Sequence, residues 1–265
     1  MPFSLIWLPH VLKSAGLKVA LVDGWEDHGT REMGPVFGVI CHHTATNSGG
    51  NMPTLETLIR GRSDLSGPLS QLGLGRDGTY YVIAAGRANH AGNGIWRQLT
   101  NGNGNFIGIE AENTGRASDF PWPAVQMEAY HRGVAAILKH IGQSAEFCAA
   151  HREYALPQGR KNDPVFDMND FRNSVAAILN GTAPPPVLIP SVEPQPVVGG
   201  MVRPTLRRGA KGEFVLLLQK KLGLEQDGNF GAKTEAALRT FQRDLNMVAD
   251  GILGPKTWRE LDQLA

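Results

Sequence analysis

Three stretches of the 265-residue chain hold the side chains that polar catalysis uses: Cys41-His42-His43-Thr44-Ala45, Ile107-Gly108-Ile109-Glu110-Ala111-Glu112-Asn113, and the run from Ala150-His151 to Asp163-Pro164. One histidine from the first stretch, His151 and Asp163 make two imidazoles and a carboxylate. Zinc takes that set in hydrolytic sites, with a fourth position left for water. Glu110 adds a carboxyl group that could move a proton. Spacing alone leaves two readings open, because the histidines are far apart and no compact His-Glu-x-x-His motif exists. One is a metal centre; the other is a set of hydrogen-bonded histidines at loop edges.

The elements that must position these residues are legible as patterns. Val36–Cys41 is a short apolar run suited to a strand buried on both faces. Side chains alternate along a strand, so at most one of His42 and His43 faces a given site. Cys41 then faces away from it, and Cys41 and Cys148 read as small buried hydrophobes. Residues 72–82 read as a hairpin around Asp77-Gly78, and Phe106–Glu110 as a further strand. Two helices follow from apolar spacing. Over 124–141 the face is Tyr130, Val134, Ile137, Leu138 and Ile141; over 169–179 it is Phe171, Val175, Ile178 and Leu179. The expectation is an α/β fold, a mixed central sheet flanked by helices, with residues 1–35 serving only to pack.

Residues 182–201 interrupt this pattern. Six of the 17 prolines fall between 182 and 200, with Glu193 the one charge, as in an extended linker that builds no core. The boundaries expected are 1–181, 182–201 and 202–265. The last segment repeats itself at an offset of 23. Gln219/Gln242, Asp227/Asp250, Gly228/Gly251, Gly231/Gly254, Lys233/Lys256 and Thr234/Thr257 are identical pairs. Each copy reads as a helix end, an Asp-Gly turn and a new helix. One helix begins near Ala232 with Leu238, Phe241 and Leu245 on a face, and one begins at Pro255, whose missing N–H costs nothing at a first helical position. With Phe214, Leu217, Leu218 and Leu222 on a first helix closed by Gly223, this segment is expected to be a small all-α, three-helix domain.

Composition narrows the function. Net charge is +1 and no basic stripe exists, which argues against nucleic acid as partner. No run of 18 apolar residues exists, which argues against a membrane span. Two cysteines are too few for a disulfide scaffold. The first residues lack the basic start of a signal peptide, with His10 and Lys13 breaking the apolar stretch. The charge is divided: residues 202–265 carry 11 Lys and Arg against eight Asp and Glu, and the remainder 15 against 17.

The motifs resemble a known family. A strand ending in His42-His43-Thr44, the Ile107-Gly108-Ile109-Glu110 strand, Asn89-His90-Ala91-Gly92, and His151 followed by Gly159-Arg160-Lys161-Asn162-Asp163-Pro164 are similar to the zinc-dependent N-acetylmuramoyl-L-alanine amidases, over residues 36–178. The tail, over residues 203–264 and on motifs such as Leu206-Arg207-Arg208-Gly209 and Gly254-Pro255-Lys256-Thr257-Trp258, resembles the three-helix peptidoglycan-binding domain of cell-wall hydrolases. The resemblance implies Zn²⁺ on His42, His151 and Asp163, with Glu110 as base and later acid, and Lys161 stabilising the oxyanion. Glu112, on the same strand face, is the substitute acid. His43, His90, Ser70 and Asn113 are the candidate substrate contacts, His43 reading first as a buried neighbour. Relatives often carry a Tyr-His pair before the hairpin where this chain has Ser70-Gln71, which favours Glu110 over a tyrosine. Trp96 and Trp122 are either sugar platforms or packing residues. The implied activity is cleavage of the amide between N-acetylmuramic acid and L-alanine by zinc-activated water, in a monomer whose partner is bacterial peptidoglycan. The pairing of domains without a signal peptide resembles a phage or prophage endolysin, held in the host cytoplasm until a holin releases it to the periplasm and wall. A host autolysin and a non-catalytic recognition protein are the alternatives.

Overall fold

A computed structural model describes residues 2–47, 49–119, 122–183, 204–245, 249 and 251–263. The chain divides into two compact units, Met1–Gln195 and Pro196–Ala265. Most of the stretch read as a linker lies outside the described residues. Among the described residues no helix is long and apolar enough to cross a membrane.

The first unit is built on a six-stranded mixed sheet: β1 (Val19–Leu21), β2 (Gly38–His43), β3 (Leu72–Leu74), β4 (Tyr80–Val82), β5 (Phe106–Ala111) and β6 (Cys148–Ala150), in the spatial order β1-β4-β3-β5-β2-β6. Only β3 and β4 pair antiparallel, through the Asp77-Gly78 turn; the other neighbours are parallel. Every residue of β2 is buried, as its unbroken apolar run requires. One face of the sheet packs on Leu8–Ser14, Ala124–His140 and Met168–Leu179, with Cys41, Ile109, Tyr130, Leu138 and Phe171 in a single core. Asp167 begins the last of these helices by accepting from the N–H groups of Asn169 and Asp170. Residues 1–35 do more than pack, because Val19–Leu21 adds a parallel edge strand beside Tyr80–Val82.

β2 outruns its neighbour β6, whose pairing ends at Cys41↔Ala150. The Tyr130 hydroxyl lies instead against the β2–β5 pair, which continues to His43↔Ala111. It accepts from the His42 N–H at 3.0 Å and lies within 3.2 Å of the His42 carbonyl and 3.0 Å of the Ile109 carbonyl. A side chain of Ala124–His140 therefore ties the backbones of β2 and β5 together behind His42.

The second unit holds Glu213–Lys221, Ala232–Asp244 and Pro255–Asp262 around Val215, Leu218, Phe230, Leu238, Leu253, Trp258 and Leu261. The repeat has a physical basis. The buried Gln219 amide accepts from Gly228 N–H and donates to Asn229 O and Thr234 Oγ1. Gln242 does the same with Gly251 N–H, Ile252 O and Thr257 Oγ1. Gly228 and Gly251 take φ of 68° and 71° in the turns they occupy. Leu245 departs from expectation: it caps its helix and is 43% exposed, since the apolar spacing continues past the helix end.

Removing the Tyr130 hydroxyl deletes its buried hydrogen bonds to the backbone at His42 and Ile109, a cost of about 1–3 kcal/mol. Tyr130→Phe should lower the unfolding free energy of the full chain, read from urea denaturation, by that amount at unchanged slope. Wild-type stability in this variant would show that the hydroxyl does not help hold the two strands.

Candidate metal and catalytic centre

The C-terminal ends of parallel strands gather loops and are where α/β sheets place their ligands. Here β2 ends in His42, β5 carries Glu110, and β6 runs directly into His151 at the start of Helix His151–Tyr154. The register pairs His42 with Glu110, so both side chains share a sheet face. Asp163 arrives on a loop whose backbone is tied to that short helix by Arg152 N–H donating to Asp163 O at 2.8 Å. Arg172, from Met168–Leu179, grips Glu153 at 2.9 and 3.0 Å and braces the same turn.

Three atoms converge. His42 Nδ1 lies 3.0 Å from His151 Nδ1, and each is 3.1 Å from Asp163 Oδ2. All three residues are buried. The outer ring nitrogens decide what the inner ones present. His151 Nε2 faces the Ala91 carbonyl at 3.0 Å, and His90 Nε2 faces the Phe106 carbonyl at 3.2 Å. Carbonyls only accept, so both Nε2 atoms carry hydrogens. His90 Nδ1 is then bare and accepts from His42 Nε2 at 3.1 Å. His42 Nδ1 and His151 Nδ1 are left with lone pairs aimed at each other and at a carboxylate. Such a triangle is repulsive without a cation. Its edges are close to the roughly 3.3 Å expected between ligands of a four-coordinate zinc, and its donors are those zinc takes. The residues present fit the ion.

The charges agree with that fit. Burial, with His151 alongside, pushes the His42 imidazole down to about 4, so the ring is neutral in mild conditions. Burial works to raise the Asp163 carboxyl, whereas a hydrogen or positive charge on the facing His151 and His42 side, the place a cation would take, holds it below the usual carboxylate range. Burial first, and then Asp163, raise Glu110 to about 8, against the opposing charge of Lys161. Glu110 Oε1 is 3.8 Å from His42 Nδ1, and its Oε2 is buried with no hydrogen-bond partner. Lys161 is exposed, and its ammonium acts on both Glu110 and His42.

The other candidates lie elsewhere. His43 points to the opposite face, toward Trp122 and Gly115, with its ring centroid 6.3 Å from that of Trp122. Ser70 and Asn113 are fully buried, and Asn113 Oδ1 accepts from Gly115 N–H. His90 is 7% exposed with both ring nitrogens occupied within the protein. His43 Nδ1, Ser70 Oγ and Asn113 Nδ2 are buried without a hydrogen-bond partner, whereas His90 has both ring nitrogens engaged. Glu112 is likewise not a spare acid: it is fully buried and accepts from Thr44 Oγ1, Thr54 N–H and the Thr54 hydroxyl. Gln71 uses its amide on Gly108 N–H and Gly86 O, a structural role. Trp122 packs on Phe166, and Trp96 donates to Glu146 O. The cysteines are free, their sulfurs 3.4 Å apart. Arg62, on the short hairpin Gly61–Arg62/Leu65–Ser66, went unnoticed in the sequence; its charge acts on Glu110 and it pairs with Asp64 at 3.0 and 3.2 Å. No local motif marks it.

Comparison with known proteins adds an independent line. A family model described as N-acetylmuramoyl-L-alanine amidase matches residues 32–166, and one for a peptidoglycan binding domain matches residues 211–261. An uncharacterized protein of Kitasatospora aureofaciens is 37% identical over 81 residues, covering 27% of this chain and 69% of that protein. The zinc D-Ala-D-Ala carboxypeptidase of Streptomyces albus G is 40% identical over 68 residues, 23% of this chain and 27% of the enzyme. Among solved structures, the N-acetylmuramyl-L-alanine amidase AmiD from E. coli aligns at 17% identity over 89% of this chain and 91% of its own, with a TM-score of 0.43. The endolysin of Burkholderia phage AP3 aligns at 42% identity over 23% of this chain and 25% of its own, with a TM-score of 0.22. The chain thus spans about a quarter of the carboxypeptidase and of that endolysin.

In the metal-free protein the folded state keeps the Glu110 proton to about pH 8, whereas an unfolded glutamate releases it near 4.5. The folded state therefore binds the extra proton between these values, and this group makes stability fall as pH rises through that window. Glu110→Gln should flatten the fall, read as urea midpoints of metal-free protein at pH 5 and pH 8.5. An unchanged slope would mean the carboxyl is not buried as described.

Proposed function

The chain belongs to the N-acetylmuramoyl-L-alanine amidase family and carries a peptidoglycan-binding domain, and we propose that it cleaves the bond between the lactyl group of N-acetylmuramic acid and L-alanine with zinc held by His42, His151 and Asp163. The observation that carries this reading is the triangle of two bare imidazole nitrogens and one carboxylate oxygen, with the Glu110 carboxyl 3.8 Å from one corner. When bound, zinc acidifies water to a pKa of about 7 and polarises a carbonyl.

The chain's own residues supply the rest. Glu110 takes the proton of the attacking water and returns it to the departing L-alanine amine. A carboxyl whose affinity for protons lies near neutrality is suited to both halves of that transfer. Its Oε2, buried and unpartnered, is the oxygen free to receive the proton. The Lys161 ammonium, exposed at the edge of the group, offsets negative charge growing on the amide oxygen. Asp163 stays ionised and anchors the positive charge of the metal.

The peptidoglycan-binding domain raises the local concentration of the active unit at the polymer. Such an anchor suits an enzyme that works on intact wall rather than on soluble fragments. We propose that it acts as a phage or prophage endolysin, monomeric and retained in the host cytoplasm until a holin opens the membrane. A host autolysin is the alternative with the same chemistry.

Asp163→Ala should lose both zinc, by elemental analysis, and activity on purified murein. Glu110→Gln should keep zinc while kcat falls by about 10²–10⁴. Mass spectrometry of the digest should show peptides with free N-terminal L-alanine. Full activity in Glu110→Gln would sink the base assignment, and zinc retained in Asp163→Ala would remove the third ligand. For the biological setting, cells expressing the full chain should stay intact until chloroform permeabilises the membrane and then clear; clearing without chloroform would favour an autolysin.

A further inference from the structure

Residues 90 and 91 touch both imidazoles of the triangle. The His90 ring meets His42 edge-on, with centroids 5.2 Å apart and planes at 88°. Its Nδ1 receives the His42 Nε2 hydrogen at 3.1 Å. The carbonyl of the next residue, Ala91, receives the His151 Nε2 hydrogen at 3.0 Å and one from Arg160 Nη2 at 3.3 Å. Two consecutive residues thus hold the outer nitrogens of two histidines that lie 109 positions apart.

The segment is itself clamped. Asn103 Oδ1 accepts from both His90 N–H, at 3.0 Å, and Ala91 N–H, at 2.7 Å. The far side of the His90 ring is fixed by its Nε2 hydrogen on Phe106 O. The ring also lies directly against β5 at Gly108, where a Cβ would stand 2.6 Å from His90 Cγ. The glycine in Ile107-Gly108-Ile109-Glu110 is therefore the space that the His90 ring occupies. Nothing about this arrangement needs a metal to form it.

We propose that His90 and Asn103 are positioning residues that lock His42 and His151 in the Nε2–H tautomer, with both Nδ1 lone pairs preset inward, and thereby set the affinity for zinc. The proposal rests on the assignment of His42, His151 and Asp163 as ligands. A ring free to flip or to carry its hydrogen on Nδ1 would present a donor to the cation. Partners that orient a ligating imidazole are typically worth about 10–100-fold in metal affinity.

The test is the zinc dissociation constant of the full chain, measured by competition with a chromophoric chelator. His90→Ala should weaken binding by about 10–100-fold. His90→Asn places an amide oxygen where Nδ1 stood and should restore affinity to within about threefold of wild type, which mere space-filling would not. Asn103→Ala, which frees both amides, should weaken binding in the direction of His90→Ala. A second readout needs no variant: imidazole ¹H–¹⁵N correlation spectra of the metal-free protein should show His42 and His151 with the hydrogen on Nε2. Wild-type zinc affinity in His90→Ala and Asn103→Ala, or an Nδ1–H tautomer at either ring, would overturn the proposal. Failure of the ligand assignment is distinguishable, because then wild type and Asp163→Ala would bind zinc alike.

Discussion

Two imidazole lone pairs and a carboxylate oxygen meet within 3.1 Å, and every pair among them repels. A protein can hold such a group only by making each member's alternatives worse. His42 cannot swing outward, because its N–H and ring are engaged by Tyr130 and His90 on opposite sides. His151 begins a helix whose first turn is braced by Glu153 and Arg172. Asp163 is bound through its own carbonyl to the N–H of Arg152. The convergence is thus sustained by bonds made on the outer sides of the three residues, leaving the inner sides for a cation.

The mixed sheet makes this arrangement possible. Parallel pairing of β2 with β5 and β6 brings three chain segments to one edge with their side chains in phase. The His42↔Glu110 register places an acid beside a ligand without any loop having to reach. The same register separates functions by face. Odd positions such as Cys41 and Ile109 enter the helix-covered core, while His42 and Glu110 point to the other side. Burial of Glu110 between Asp163 and the sheet then raises its proton affinity, opposed only in part by Lys161. Tuning of the acid is a consequence of where the strands end.

Much of this was legible before any coordinates. His42, Glu110, His151 and Asp163, which the structure brings together, stand in motifs that the resemblance singled out; the tail's repeat is a local pattern, and helices such as Met168–Leu179 follow from apolar spacing. What escaped has a common cause, which is that facing is decided in space. His90, Ser70 and Asn113 stand in motifs beside the chemistry and are polar, yet each is buried, which sequence does not display. Glu112 shares a strand face with Glu110, but its carboxylate is captured by Thr44 and Thr54 from the preceding loop. Val19–Leu21 is too short to announce itself, and its pairing with Tyr80–Val82 is set by the fold. Leu245 continued an apolar spacing beyond the point where the helix stops.

A shared economy runs through both units: neutral amides do the clamping. Gln71 joins Gly108 N–H to Gly86 O, Gln126 donates to Leu74 O and Glu112 O, and Asn103 takes two N–H groups at once. In the tail Gln219 and Gln242 repeat one such clamp on each Asp-Gly turn. An amide offers a donor and an acceptor without net charge, so it can satisfy buried backbone groups at little desolvation cost. Beside the metal centre that neutrality has a further effect. A carboxylate at position 103 could accept the same two N–H groups, but its charge would favour the imidazolium form of His90 and, through it, disturb His42. An imidazolium has no lone pair to pass along the chain of hydrogen bonds. The side chain that holds the segment must therefore be polar enough to grip it and uncharged, which asparagine satisfies and aspartate does not.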